Sequence, residues 1–466
     1  MSKVSKPRTI YLVHHHLRRG GVTRVMLSAA EILRDAGEKV CLLSGEASAE
    51  KIPEGVALRV LPGLGYADGA SSCSPEELKQ TLKDLYREGD IWHLHNHSLG
   101  KNPMVTDVFC SLAEQGQSLV LQPHDFAEDG RPANLEKLRN EFPGFPDRLY
   151  PVGPHIQYAV LQQRDATVLR EGGVPAEDIH LLPNPLLDFE TFSAPQSPPQ
   201  RCLYLTRAIR RKNVGEFLYW AACWGEEIEF ATSLLPENPK ELELFKPWQA
   251  FAEAEGIQVQ WGVGMSGKSF HEVVAWSDAC ITTSVGEGFG MSFLEPYGMG
   301  RSVLGRNLPE ITAGFSEDGV DLSGLYAELP VPVDAVDAEF WSRALGLILA
   351  WRKSMGAEAV VTISDLKRAW VREGMIDFGR LDEVAQRQVL REVNALGFCQ
   401  NLDPFSPQPI AENRAVILNQ YGPEPYLKRL QNLYGCLHDA APVRYADGDR
   451  VRDAFLGLER VCLLRT

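Results

Sequence analysis

Short apolar runs alternate with longer amphipathic ones along this chain, and that alternation restricts its fold more than any other feature. "TIYLVH" (9–14), "KVCLLSG" (39–45), "IWHLHN" (91–96) and "SLVLQPH" (118–124) are rich in β-branched or large apolar residues and end in Gly, Asn or His, the mark of buried strands. Between the first two lies "GVTRVMLSAAEILRDAG" (21–37). Its Val22, Val25, Met26, Ala29, Ile32 and Leu33 follow helical spacing, and Gly37 suits the position just past a helix end. Strand–helix–strand alternation calls for a parallel sheet wrapped by helices.

The pattern then repeats. "LDFETFSAPQSPPQ" (187–200) reads as a linker from its Pro and Ser content. Beyond it come "RCLYLTR" (201–207), "EIEFATS" (227–233), "IQVQWGV" (257–263), "ACITTS" (279–284) and "SVLGRN" (302–307), again separated by helical stretches. A length of 466 residues suits two or three domains at roughly 150 residues each. The expected division is 1–190, 191–420 and a helical end at 421–466 that crosses back to the first domain. Residues 340–355 and 381–396 look helical, and 410–437 looks like two helices broken at Gly422-Pro423. In such folds ligands bind beyond the carboxyl ends of the strands, and a cleft between two units is a natural site.

Composition narrows the partners. The net charge of −15 argues against nucleic acid and against anionic membranes, both of which need an excess of Lys and Arg. No run approaches the roughly 20 apolar residues of a membrane span. The N-terminal stretch lacks the apolar segment of a signal peptide. Nine cysteines are scattered singly with no C-x-x-C, which fits reduced, buried thiols and a cytoplasmic protein.

The most informative stretch is "TTSVGEGFGMSFLEPYGMGRSVLGRNLPEI" (282–311). A strand ends near Ser284, a turn with Gly286, Gly288 and Gly290 follows, and a helix starts from Met291 with Glu295 about one turn in. Such a turn lets backbone N–H groups approach a ligand, and the helix start favours an anion. Glu287 and Glu295 are placed to accept hydrogen bonds from sugar hydroxyls. A glycine-bearing turn flanked by solvated acids is the plainer alternative.

"EGFGMSFLE" followed by "GRSVLGRNLPEI" resembles the E-x7-E signature of retaining glycosyltransferases of the GT-B fold, in particular glycosyltransferase family 4. "LTRAIRRKN" (205–213) is similar to that family's G-R-x-x-x-x-K element, with Thr206 in the glycine position. "RRGGVTRV" (18–25), "DIWHLHN" (90–96), "QPHD" (122–125) and "GVPAEDIHLLPNPL" (173–186, with Pro185 for a glycine) follow the family's other elements in order.

The resemblance implies two tandem Rossmann-like domains facing across a cleft, an N-terminal acceptor domain and a C-terminal nucleotide-sugar donor domain, with C-terminal helices. It implies a metal-independent transferase, without a cofactor, that moves a hexosyl unit from a UDP-, GDP- or ADP-sugar to an acceptor hydroxyl with retention. Glu287 would contact donor-sugar hydroxyls and Glu295 the ribose. Arg207 and Lys212 would hold the diphosphate, and the backbone amides of Phe289, Gly290 and Met291 the phosphate and sugar. His124 would lie near the donor sugar, and Gly20 and Gly21 would close over the diphosphate.

The charges suit those roles, since a leaving nucleoside diphosphate gains negative charge as its bond breaks. A solvated basic turn is the alternative for "RRK". Histidines 14–16 and the alternating 93, 95 and 97 raise the question of a metal. In this setting they read as strand-end residues lining the cleft, with His95 and His124 assigned to it and no metal expected. Arg18 and Arg19 suit a phosphate or carboxylate on a small polar or glycan acceptor. "GVGMSGKS" (262–269) matches the phosphate-loop pattern G-x-x-x-x-G-K-[ST], so a P-loop NTPase using Lys268 stands as an alternative, as does a non-catalytic sugar-nucleotide binder. The position of the stretch, three strands into the second unit, argues for a strand-end loop near the nucleobase.

Overall fold

A computed structural model of the chain describes residues 8–465, apart from 68–72, 188–189, 194, 266, 358–359, 393–398 and 400–401. The chain divides into two units. The first runs to Leu187 and takes in Gln420–Leu456; the second runs from there to Asn419 and takes in the chain from Gly457 on.

The first unit is built on β1 (Thr9–His14), β2 (Lys39–Ser44), β3 (Ala57–Val60), β4 (Ile91–His95), β5 (Leu119–Gln122), β6 (Pro151–Val152), β7 (Ile156–Val160) and β8 (Ile179–Leu181). Seven of these form one parallel sheet in the order β3-β2-β1-β4-β5-β7-β8. The order reverses between β1 and β4, where a doubly wound sheet opens its ligand crevice. The helix Gly21–Asp35 buries the apolar positions read from its sequence apart from Val22, which is half-buried. Gly37 ends it at φ 86°, with Gly37 N–H on the Arg34 carbonyl and Glu38 N–H on that of Leu33, a Schellman arrangement. The helix Pro423–Gly435 packs Tyr426, Leu430, Leu433 and Tyr434 into the same core as Ile10, Leu12, Met26 and Leu33. It begins after the Gly422-Pro423 break, as a proline at the first helical turn allows.

The second unit has β9 (Arg201–Arg207), β10 (Glu229–Leu234), β11 (Ala279–Thr282) and β12 (Ser302–Gly305), parallel and in the order β10-β9-β11-β12. Single parallel bridges, Ala231 to Gln260 and Arg306 to Tyr326, extend it at either edge. The strand expected at 257–263 is therefore only a bridge. Gln258 and Gln260 are exposed, so little apolar surface holds the segment to the edge, and Gly262 turns away at φ 67°. A small antiparallel sheet (Pro330–Pro332, Val371–Arg372, Met375–Asp377) and the helices Phe340–Ser354 and Glu383–Glu392 fill the region after β12.

The fixed point of this unit is Arg306, 4% exposed and paired with Glu216 at 2.6 Å and Asp377 at 2.8 Å. Tyr326 donates its hydroxyl to Glu216, and Trp220 donates to Tyr326. The expectation that all cysteines are reduced is overturned: Cys223 and Cys399 form a disulfide, their Cα atoms 5.4 Å apart. A separation of 176 residues hid the pairing from any reading of local spacing. Among the described residues no helix is long and apolar enough to cross a membrane.

Replacing Arg306 with Met should strand two buried carboxylates. We expect unfolding free energy to fall by about 3–5 kcal/mol in urea titrations; a loss below about 1 kcal/mol would show that the triad is not what holds this face together.

Candidate functional site

In the second unit the site is assembled by two turns at the carboxyl end of the sheet. After β9 the chain makes a 3-10 turn, Arg210–Lys212, then passes through Asn213 in the left-handed region (φ 52°) into the helix Val214–Trp224. After β11 it makes the glycine-rich turn 283–290. The two are stitched together. The Lys212 carbonyl accepts from the Tyr204 hydroxyl at 2.8 Å and from Thr283 Oγ1 at 3.1 Å. The Arg211 carbonyl accepts from Val285 N–H at 3.0 Å and Ser284 Oγ at 3.3 Å. With its backbone fixed in this way, the turn sends its charged side chains to separate destinations.

Arg210 turns inward, forming a two-pronged pair with Glu383, while its N–H donates to Glu241. Arg211 and Lys212 turn to Glu287. The Lys212 ammonium is paired with Glu287 Oε1, and Arg211 reaches Oε2 at 3.3 Å and the Gly286 carbonyl. The side chains of Lys212 and Glu287 are only 13% and 10% exposed. Burial acts to raise the Glu287 carboxyl, yet Lys212 and Arg211 outweigh it and hold it below the usual carboxylate range. Burial pushes the Lys212 ammonium down, opposed by Glu287. Glu287 is thus an ionised hydrogen-bond acceptor. It is no proton donor at neutral pH.

Gly290 is required by the fold. It sits at φ 95°, and a Cβ there would come within 2.9 Å of Ile311 Cγ2 and 3.0 Å of Phe293 Cδ2. Phe289 is buried against Phe315, so only its backbone is offered to the turn. Met291 opens a 3-10 turn, Met291–Phe293, and the α-helix starts at Glu295 instead of one turn before it. Leu294 between them leaves regular helix geometry (φ −114°), which the glycine-led periodicity did not reveal.

Arg207 stands apart from the Lys212 pair. It makes an exposed contact with Glu237 at 3.3 Å, the kind worth little to stability. It lines a cavity of about 320 Å³ with Thr206, Ser233, Gly264, Lys268, Phe270 and Glu295. The "GVGMSGKS" stretch therefore lines, through Gly264 and Lys268, the same cavity as Arg207 and Glu295. Its helix opens only at Phe270, and the Ser269 hydroxyl caps it by accepting from Glu272 N–H. A phosphate loop needs that hydroxyl as a ligand to Mg²⁺; here it caps the helix. Arg211 is the site residue that the sequence reading missed. Its neighbour Lys212 matches a motif position, whereas the direction of Arg211 depends on the carbonyl stitching.

In the first unit the candidates lie at the carboxyl ends of β1, β4 and β5. Gly20 and Gly21 begin the first helix, and a Cβ on either would meet nothing within 4 Å, so the protein's own packing does not demand glycine there. Arg18 and Arg19 pair at the surface with Glu46 and Glu50. Arg18 and Lys101 also stand over the Tyr66 ring, 5.7 and 5.4 Å from its centroid, and Tyr66 bonds His16 Nε2 at 2.8 Å. Asn96, at φ 59°, accepts from His124 N–H and Asp125 N–H. His95 Nδ1 and His124 Nε2 are 2.8 Å apart, their rings stacked. The left-handed Asn96 breaks the alternation expected of 93, 95 and 97. His97 leaves the strand and packs edge-on against Tyr150 and Tyr158.

These histidines are neutral. Burial pushes His15 and His93 down to about 4 and His97 and His124 to about 3. No group of three or more His, Cys, Asp or Glu among the described residues could hold a metal ion.

No known family profile matches the chain. It is 29% identical over 335 residues to mannosylglucosyl-3-phosphoglycerate synthase from Petrotoga mobilis. That match spans 65% of this chain and 65% of the relative, so the chain spans less than two thirds of the curated relative's length. Among solved structures it resembles Anabaena HepE in complex with UDP and glucose (TM-score 0.53, 12% identity, 91% of this chain and 99% of that one). It also resembles the pneumococcal O-GlcNAc transferase GtfA in complex with UDP and GlcNAc (TM-score 0.51, 12% identity, 93% and 99%). At that identity the likeness speaks for the fold, and the fold of both units is the parallel-sheet α/β build of the GT-B glycosyltransferases.

Neutral buried histidines carry a pH signature. Their native pKa values lie below the unfolded value near 6.5, so the unfolded chain binds more protons in between, and stability is lost as pH falls from about 6.5 toward 4. His97→Phe should lower that slope by about 1.4 kcal/mol per pH unit. Urea midpoints from pH 7 to 4.5 measure it, and an unchanged slope would mean that His97 is protonated in the folded protein.

Proposed function

We propose that this chain is a glycosyltransferase that moves a hexosyl unit from a nucleoside-diphosphate sugar to a hydroxyl of a small acceptor, retaining anomeric configuration and using no metal. The observation that carries the reading is the Lys212–Glu287–Arg211 cluster. Its Glu287 sits in the same strand-to-helix connection as Glu295, which lines the cavity with Arg207 and Lys268. Cations, an ionised carboxylate and a glycine turn at one sheet end suit a ligand with a diphosphate and a hydroxyl-rich sugar.

In this reading Arg207 and Lys212, joined by Arg211, hold the diphosphate. A cation about 4 Å from a phosphoryl oxygen contributes on the order of 4 kcal/mol gross at an effective dielectric of 20. The attraction grows as the C1–O bond to the leaving group breaks. The acceptor oxygen forms the new bond to C1, and its proton passes to the departing diphosphate. Glu287 accepts hydrogen bonds from donor-sugar hydroxyls, Glu295 binds the ribose, and the amides of Phe289, Gly290 and Met291 face the phosphate and sugar. The first unit is read as the acceptor side. His124, neutral and bonded to His95 and Asn96, is assigned to the donor sugar in this reading, and Gly20 and Gly21, where a side chain would meet nothing within 4 Å, to the diphosphate.

The acceptor is read as a small soluble molecule carrying a phosphate or carboxylate. Arg18 and Lys101 stand over the Tyr66 ring at the first unit's strand ends, with Arg19 next to Arg18 in the chain, and the Petrotoga relative is named for a phosphoglycerate product. A P-loop NTPase is disfavoured because Ser269 is taken up as a helix cap. A binder without catalysis is separated from an enzyme by turnover alone.

The test is transfer or hydrolysis of UDP-, GDP- and ADP-sugars in the presence of EDTA, with the product anomer read by proton NMR. One donor should be consumed with retention, and Lys212→Ala should lower kcat/KM by roughly 10²–10³. An inverted product, a need for divalent metal, or full activity in the variant would overturn the corresponding part of this reading.

A further inference from the structure

The segment that begins at Gly457 returns to the second unit, and its anchoring is extensive. Trp370 Nε1 donates to the Leu458 carbonyl at 2.9 Å, Arg380 donates to the Val461 carbonyl at 2.7 Å, and Cys462 Sγ donates to the Gly379 carbonyl at 3.1 Å. Arg460 pairs with Glu310 at 3.2 Å. Leu463 and Leu464 are buried, and Leu464 lines a small cavity with Arg210 and Glu383. The 3-10 turn Leu463–Arg465 thereby packs against the Arg210–Lys212 turn.

This packing lays Arg465 over the glycine turn. A Cβ on Gly286 would lie 2.9 Å from Arg465 Cδ and 3.0 Å from its Nε, so the Arg465 side chain lies directly against this turn. Arg211 donates to the Gly286 carbonyl, and the next residue is Glu287, held by Lys212 and Arg211. Cations thus approach one turn from two directions, one set from the loop after β9 and one from a segment some 250 positions further along the chain.

We propose that Arg465 belongs to the anion-binding end of the second unit, where its guanidinium binds the diphosphate of the donor beside Arg211 and Lys212. The proposal rests on the donor reading given above. The segment Gly457–Leu464 is then the arm that places this cation. An arginine suits the task because its planar fork stays charged at every working pH and donates to phosphoryl oxygens in pairs.

The experiment is calorimetric titration of UDP, GDP and ADP into the full chain and into Arg465→Gln and Arg465→Lys, with the Tm of each unliganded protein recorded. The variants separate charge from packing, since Gln keeps polarity without charge and Lys keeps charge with a different shape. The expected result is roughly tenfold weaker binding of the preferred diphosphate in Arg465→Gln, recovery of most of that loss in Arg465→Lys, and unliganded Tm values that match. Wild-type affinity in Arg465→Gln would overturn the proposal and leave the donor reading standing. Equal losses in both variants, tracking a fall in Tm, would make Arg465 a packing residue and also overturn it. If the wild-type chain binds none of the three diphosphates, the donor reading fails and this proposal with it.

Discussion

The hydrogen bonds that Tyr204, Thr283, Ser284 and Val285 donate to the carbonyls of Arg211 and Lys212 decide where the charge of the second unit goes. A basic run in a free loop would spread its side chains into solvent. Here the carbonyls are held on the strand side, so Arg211 and Lys212 extend toward Glu287 while Arg210 is drawn off by Glu383. Asn213 makes the arrangement possible by taking a left-handed conformation, with its side-chain oxygen accepting from Gln386 and its amide donating to Glu216. Glu216 is in turn held by Arg306. The geometry of the two turns and the core of the unit are thus one hydrogen-bonded system. Because a buried charge without its partner is costly, neither end of that system can relax alone.

The first unit solves the opposite problem. Its strand ends are crowded with imidazoles, yet burial keeps them uncharged. His93 bonds both Tyr434 and Gln122 at 2.8 and 2.9 Å, so the helix that arrives late in the chain is tied by a polar contact to the middle of the sheet. Charge at this end is left to the exposed arginines and Lys101. One unit offers a focused set of cations around an ionised carboxylate; the other offers neutral, stacked rings with a basic rim.

Much of this was legible in the sequence, for definite reasons. Strands buried on both faces read as apolar runs, so β1 and β9 are found at the residues expected, 9–14 and 201–207. The break at Gly422-Pro423 was equally plain, because proline has no N–H to continue a helix. What could not be read depended on contacts between distant residues. The edge segment at 257–263 has the alternation of a strand but only one bridging residue. The departure of His97 from its neighbours hinges on a single left-handed Asn96. Arg211, Arg465 and the Cys223–Cys399 bond were invisible because each gains its meaning from a partner 75 or more positions away. The phosphate-loop pattern was set aside by its place three strands into the second unit, and the serine used as a helix cap adds a local reason against it.

The central claim is that the second unit binds a nucleoside diphosphate through its cations and glycine turn. The most direct measurement is the shift in Tm across a panel of UDP, GDP, ADP and the corresponding monophosphates, in buffer containing EDTA. The account predicts that one diphosphate raises Tm by several degrees at saturation, and that its monophosphate raises it markedly less. A panel in which no diphosphate moves Tm, or in which monophosphate and diphosphate act alike, would contradict it.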